Sequence, residues 1–175
     1  MAALPFVASG SDALHKEASN ILRSALGSRK SGVSNAAIRT LVHWSEKSLT
    51  EKTKFPRLLS AAIVALCDSR ISYTLVNALE ASQILLERGH IKPLAATKLE
   101  KAVEKLAKEI TYDLGSTIAF EELSVSLVRR ACVRTAGALL STGSTSQILG
   151  TWVEDSRMDP LPEVRFASDS DSFFF

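Results

Sequence analysis

Side chains that commonly carry enzyme chemistry are scattered along this sequence rather than grouped. His15, His43 and His90 lie far apart and lack neighbours at the spacing of a metal site or a nucleophile–base pair. The Gly143 segment lacks the second glycine and the lysine of a phosphate-binding loop. The glutamates at 121–122 are adjacent, so they project from different faces of a helix and cannot act as an acid–base pair. We therefore expect no catalytic activity, no cofactor, no metal site and no small-molecule substrate.

The two cysteines, Cys67 and Cys132, form no CxxC pair and sit within apolar helical patterns. This placement predicts buried free thiols rather than a disulfide. Free thiols are typical of proteins from a reducing compartment.

Arg129, Arg130 and Arg134 are the candidate for a charged binding surface. Arg130 and Arg134 lie one helical turn apart, and a guanidinium group can grip a carboxylate or a phosphate with two hydrogen bonds. The alternative is that these arginines pair with acidic side chains of an adjacent helical unit. We prefer this second interpretation.

A second group of charges has both signs. Its members are Lys98, Glu100, Lys101, Glu104, Lys105, Lys108 and Glu109. Their interleaving predicts a solvated helix face with pairs between residues four apart.

Composition favours a folded protein with a substantial core. The chain has 175 residues, of which 46% are hydrophobic, and a formal net charge of +2. That charge is too small to predict a nucleic acid or an anionic membrane as the partner. The segment from Met1 to Val7 lacks the features of a secretory signal, and no apolar run reaches the length of a membrane span. We expect a cytoplasmic protein.

Apolar residues recur at steps of three and four along most of the chain, which predicts an all-α protein. The predicted helices cover about Ser11–Gly27, Ser34–Leu49, Pro56–Cys67, Asp68–Gly89, Leu94–Thr111, Glu121–Ser141, Gln147–Met158, and the chain from Glu163 onward. No segment shows the sustained alternation of a strand.

The fourth predicted helix, Asp68–Gly89, is the one around which the others are arranged. Its apolar residues occupy more than one face, so it needs neighbours on two sides. Asp68 or Ser69 is the expected N-cap, and Gly89 is the expected left-handed residue at its end.

Eight helices joined by short links pair naturally into four hairpins. Their first members begin near Ser11, Phe55, Thr97 and Ser146, at intervals of about 42 to 49 residues, against about 40–47 for HEAT and armadillo units. An irregular helical domain is the alternative, and the period alone does not separate the two.

The segment Asp159–Ala167, Asp-Pro-Leu-Pro-Glu-Val-Arg-Phe-Ala, resembles the turn and second-helix start of a HEAT repeat, in which an aspartate precedes Pro-x-Val-Arg-x-Ala. The aspartate accepts hydrogen bonds from free helix N–H groups, and proline fits the first turn. The valine would enter the core, and the arginine could reach an aspartate in a neighbouring repeat. Looser versions occur at 68–71 and 126–131. The resemblance implies a HEAT/armadillo-like right-handed α-solenoid of about four hairpins.

Within HEAT-type proteins, Trp152-Val153 followed by 162–167 is faintly similar to the C-terminal parts of two families. These are the THADA-like regulators of tRNA ribose methylation and tubulin-folding cofactor D. Neither similarity assigns a role to a residue.

Three aromatics close the sequence, Phe173, Phe174 and Phe175, and they are candidate partner-binding residues. They could fold back onto the preceding helix, contact a partner, or mark the cut end of a longer solenoid, since an uncapped stack exposes apolar surface.

From these features we expect residues 1–175 to form a single helical-repeat domain, either complete or a piece of a longer solenoid. The expected function is a non-catalytic scaffold or adaptor that binds another protein along the surface of successive second helices. The alternatives are an RNA-associated subunit that assists tRNA modification, in which Arg129, Arg130 and the lysines at 98–108 would face phosphate, and a cofactor D-like chaperone segment.

Overall fold

The computed structural model of the chain describes residues 12–50, 54–112, 122–159 and 161–169. It contains α1 (Asp12–Leu26), α2 (Ser31–Thr50), α3 (Arg57–Ala65), α4 (Ser72–Glu87), α5 (Pro93–Tyr112), α6 (Glu122–Ser141), α7 (Gln147–Ser156) and α8 (Pro162–Asp169), with a short 3-10 helix at Leu66–Asp68. Every regular element in these four ranges is helical, so the predicted all-α class is confirmed. None of the helices described there is long and apolar enough to cross a membrane.

The helices form two rows. In the first row, α1, α3, α5 and α7 contact one another in succession, and in the second row α2, α4, α6 and α8 do the same. Across the rows, α1 packs on α2, α3 on α4, α5 on α6 and α7 on α8. The most extensive helix–helix contact is between α4 and α6, so these two helices form the centre of the second row.

The predicted two-sided character of α4 is confirmed. Leu75 and Leu79 are completely buried on one face, and Thr74 and Ala81 are buried about 100° away around the helix. The helix accordingly contacts α2 and α6 as well as α3. The small residues of α4 and α6 allow their backbones to approach closely, and the hydroxyl of Thr135 in α6 donates a hydrogen bond to the carbonyl oxygen of Leu79 at 3.2 Å.

The start of α4 differs from the prediction. Leu66–Asp68 continue α3 as a 3-10 helix, and the hydroxyl of Ser69 accepts a hydrogen bond from the amide of Ile71 in the turn that follows. The helix therefore begins at Ser72 with Ile71 as an N-cap that has no side-chain hydrogen bond, and the predicted cap at Asp68 or Ser69 is wrong. Ile71 is half-exposed and is not part of the buried face that Leu75 and Leu79 form.

The end of α4 matches the prediction. Gly89 has φ of +68°, and the amides of Gly89 and His90 donate to the carbonyl oxygens of Leu86 and Leu85. The end of α6 repeats this geometry, with Gly143 at φ of +104° and equivalent bonds from 143–144 back to 139–140. Two central helices of the second row thus end in the same way.

One continuous apolar core extends from α1 to α7. The largest completely buried side chains in it include Leu22, Leu41, Trp44, Ile63, Leu79, Leu99, Leu139 and Leu149. A smaller cluster of Val133, Val164 and Ala167 attaches α8 to α6.

Candidate functional site

Arg129 belongs to an ion pair between helices. Its guanidinium contacts a carboxylate oxygen of Asp159, and both side chains are largely buried. The other carboxylate oxygen of Asp159 accepts a hydrogen bond from the amide of Leu161 at 2.8 Å, just before α8. The pairing of Arg129 with an acid from a neighbouring helix pair is therefore observed.

The same turn shows how the HEAT-like segment is built. Val164 and Ala167 are completely buried, so the expectation that the valine enters the core is confirmed. Arg165 donates a hydrogen bond to the backbone carbonyl oxygen of Asp159 at 2.6 Å. Arg129, from α6, contacts the Asp159 carboxylate.

Arg130 and Arg134 do not join Arg129 in one site. Arg130 lies 3.3 Å from the carboxylate of Glu80 on α4, and both side chains are about one-third exposed. Arg134 is partly exposed, and no ion pair of its side chain occurs within the described ranges. A partner-binding role for these arginines stays a prediction. Phe173, Phe174 and Phe175 lie outside the described residues, and their role also stays a prediction.

The cysteine prediction is confirmed, because Cys67 and Cys132 are buried and free. Burial raises the pKa of Cys67 to about 12, and a 3.6 Å contact with the Ser82 hydroxyl offsets this only in part. Burial also raises the pKa of Cys132 strongly, and the nearby Cys67 adds to the effect. Both thiols are therefore poor nucleophiles in the folded protein.

His90 follows the end of α4 and packs against the ring of Phe55, with ring centroids 5.0 Å apart. Burial lowers the pKa of His90, a hydrogen bond with the backbone of Ser45 opposes the change, and the positive charge of Arg88 lowers the pKa further. Its Nε2 atom is buried and has no hydrogen-bond partner among the described residues. A neutral imidazole is therefore favoured here.

A feature that the sequence did not predict is a groove on the first row, between α3 and α5. We call it the lysine groove, and its volume is about 530 Å³. It is lined by Ala61, Val64, Ala65, Asp68, Leu94, Ala95, Lys98, Lys101, Ala102 and Lys105. Three ammonium groups and one carboxylate thus border a mainly apolar floor.

Two of the three glutamates of α5 form hydrogen bonds with the turn between α6 and α7 and not with the lysines of the groove. Glu100 and Glu104 accept hydrogen bonds from the hydroxyls of Ser144 and Ser146 in the turn before α7. Lys105 and Glu109 form a pair four residues apart, 4.0 Å from nitrogen to oxygen. The predicted interleaved pairs are thus found at this position, whereas Glu100 and Glu104 are engaged with the turn.

Other grooves lie along the same row. One of about 490 Å³ separates α1 from α3, and one of about 570 Å³ between α5 and α7 is lined in part by Ile148 and Trp152. The recess between α4 and α6 in the second row is much smaller, about 180 Å³. A recess of about 370 Å³ lies where α4, α5 and α6 meet. Binding of a partner along the surface of successive second helices stays a prediction.

Within the described ranges, no group of three or more histidine, cysteine, aspartate or glutamate side chains is arranged to hold a metal ion. No family model, curated protein or solved structure matches this chain.

Proposed function

We propose that this chain is a HEAT/armadillo-like α-solenoid that serves as a non-catalytic scaffold or adaptor for another protein. The observation that supports the proposal is the order of the helix contacts. Each helix packs against its partner in a hairpin and against the helix two positions along the chain. A stack of like hairpins produces such contacts, because each repeat contacts only its neighbours.

Local chemistry supports the same proposal. The ends of α4 and α6 share one glycine-terminated geometry, and the Asp159 turn joins α6 to α8 through side-chain and backbone bonds. Repeated turns with cross-repeat ion pairs are a natural way to fix the offset between hairpins. The buried free thiols also fit a cytoplasmic protein, since reducing conditions keep thiols unpaired.

The surface is suited to a macromolecule rather than to a small ligand. The first-row grooves are open troughs with exposed apolar side chains such as Leu58 and Leu94, and charged groups stand at their edges. Protein interfaces combine an apolar centre with a polar rim in this way.

The proposal is tested by using the chain as immobilised bait in cell extract, with and without ribonuclease, followed by quantitative mass spectrometry. We expect one or a few proteins to be retained reproducibly after ribonuclease treatment. Loss of all specific protein capture on ribonuclease treatment, or capture no greater than that of unrelated bait, would overturn the scaffold proposal.

The exposed lysines of α5 favour an RNA-associated role as the second candidate, as in the THADA-like alternative. Such binding would weaken steeply with salt, because each neutralised phosphate releases counterions. A protein interface with an apolar centre would lose much less affinity between about 50 and 200 mM salt than the roughly 10³-fold expected for six or more phosphate contacts, so a salt titration combined with ribonuclease treatment separates the two candidates.

A further inference from the structure

The floor of the lysine groove is apolar and shallow. Ala61 and Ala65 on α3 are exposed, while Ala102 on α5 is buried beneath the trough. Leu94, at the start of α5, is 74% exposed, so a large apolar side chain borders the trough without packing into the core. Small side chains on two neighbouring helices leave room for a third helix to pack between them.

The edge of the groove carries an excess of positive charge. Lys98, Lys101 and Lys105 are all exposed and follow one another at steps of three and four on α5. Residues at these steps share a helix face, with about 5–6 Å between successive Cβ atoms. Asp68 is the one carboxylate among the residues that line the groove. Glu109, one turn further along α5, lies 4.0 Å from Lys105, so Lys98 and Lys101 supply most of the excess charge.

We propose that the lysine groove binds an acidic amphipathic helix of a partner protein, an inference that rests on the proposed scaffold function. The span from Leu94 to Lys105 is about 16 Å at 1.5 Å per residue, which suits a partner helix of about three turns. Its apolar face lies on the alanines and Leu94, and carboxylates at steps of three and four meet the lysines. This is the helix-in-groove mode of recognition with an added charge match.

Nucleic acid fits the same residues less well. Among the described residues, none that lines the groove is aromatic, so bases find no ring to stack on there, and the apolar floor has no counterpart in a phosphate backbone. Arg129 and Arg130, which would strengthen phosphate binding, are paired with the carboxylates of Asp159 and Glu80. A helix with one apolar and one acidic face uses both the floor and the rim.

The test measures fluorescence anisotropy with a labelled 14-residue peptide that places leucine and alanine on one helical face and glutamate on the adjacent face. The comparison ligands are a scrambled peptide of the same composition, a peptide with lysine in place of glutamate, and a 12-nucleotide single-stranded RNA. We expect the acidic amphipathic peptide to bind about tenfold more tightly than each of the three. Equal binding of the scrambled peptide, or tighter binding of the RNA, would overturn the proposal.

Two variants test the groove itself. The triple variant Lys98→Glu, Lys101→Glu, Lys105→Glu removes the rim charge, and Ala61→Trp fills the floor while all three lysines remain. We expect each to weaken peptide binding about tenfold with the circular dichroism spectrum unchanged. Because all four substituted positions are exposed, the folded core is not altered.

The matched control is the triple variant Arg29→Glu, Lys30→Glu, Arg39→Glu, which changes the net charge by the same amount at exposed sites on α2 and the turn before it, outside the groove. It should keep at least about half of the wild-type affinity, because these charges do not border the groove and exposed charges more than about 8–10 Å apart are largely screened by salt. If this control loses as much affinity as the groove variant, the binding is non-specific and the proposal fails. The capture experiment with ribonuclease-treated extract is also run with the triple variant at Lys98, Lys101 and Lys105. If this variant and the wild-type chain capture the same proteins, the groove proposal fails while the scaffold function stands.

Discussion

Asp159 connects three segments of the structure through one side chain and its backbone. It pairs with Arg129 of α6, accepts the amide of Leu161 and offers its carbonyl oxygen to Arg165 of α8. Because Asp159 and Arg129 are largely buried, removing one charge leaves the other without compensation.

We therefore expect Asp159→Asn to lower the free energy of unfolding by about 2 kcal/mol, less than full deletion of a buried partner because asparagine can still accept the Leu161 amide. Urea denaturation followed by circular dichroism measures the change. Asp155→Asn, at an exposed position of α7, is the control and should change stability by less than about 0.5 kcal/mol. An equal effect of the two substitutions would contradict the role of the Asp159 turn.

The cysteines give a prediction about chemical reactivity. With the pKa of Cys67 raised to about 12 and that of Cys132 raised by burial, neither thiol forms thiolate at neutral pH, and neither is accessible. We expect no reaction with Ellman's reagent at pH 8 until urea unfolds the protein, after which both thiols react. The variant Ser24→Cys places a thiol at an exposed position of α1 and should react at once in the folded state. Fast reaction of the unsubstituted folded protein would show that the core around α4 and α6 opens readily.

The lowered pKa of His90 determines the direction in which the stability of the fold changes with pH. Its pKa is lowered in the folded state from an ordinary value near 6.5, so the unfolded chain binds a proton first as the pH falls. The stability contributed by the neutral imidazole is therefore present above pH 6.5 and is lost as the pH falls below that value. We expect the melting temperature to decrease between pH 7.5 and 5.5, and His90→Gln should reduce that decrease. An unchanged slope in His90→Gln would exclude His90 as its source.

At the scale of the helices, two glycines with different roles give a matched pair of substitutions, one at the end of α6 and one inside α7. Gly143 has a positive φ that alanine adopts only with strain, whereas Gly150 lies inside α7 with open space around its Cβ position. We expect Gly143→Ala to destabilise the protein by about 1 kcal/mol and Gly150→Ala to stabilise it by up to about 1 kcal/mol. Thermal unfolding of the two variants measures both signs, and a shared sign would contradict the assigned geometry.

The helices themselves were predictable because apolar periodicity directly encodes a buried stripe. In α5, Leu99, Val103, Leu106 and Ile110 are buried as their spacing predicts. The start of α4 was not predictable in this way, since Asp68 and Ser69 are both common N-cap residues. In the structure Asp68 ends a 3-10 helix and the Ser69 hydroxyl bonds the Ile71 amide within the turn, so the helix starts later.

The lysine groove was missed for a different reason. Whether Glu100 and Glu104 pair with lysines or with the serines of a distant turn depends on how α5 packs against the α6–α7 connection. The same applies to Arg88, whose guanidinium reaches the carbonyl oxygen of Val42 and the hydroxyl of Ser45 on α2. Contacts between residues more than 40 positions apart have no periodic signal in one sequence. A repeated Leu-Leu-x-x-Gly pattern, at 85–89 and 139–143, was the available signal for the shared helix ends.

At the scale of the whole molecule, the proposed stack has a consequence for cooperativity. In a linear array, each hairpin is stabilised by its own contacts and by its neighbours, so damage at one end is felt mainly at that end. A domain built around one indivisible core would instead lose protection everywhere at once.

Leu22→Ala tests this difference, because Leu22 is completely buried in α1 and its truncation costs about 3 kcal/mol. Native-state hydrogen exchange should show faster exchange of the α1 and α2 amides, while those of α6 and α8 change by less than about threefold. Val164→Ala, in the small cluster at the other end, is the mirrored substitution and should accelerate α8 while leaving α1 unaffected. Equal acceleration of all the slowly exchanging amides in both variants would show one cooperative unit, and the solenoid would then have to be abandoned in favour of an irregular helical domain.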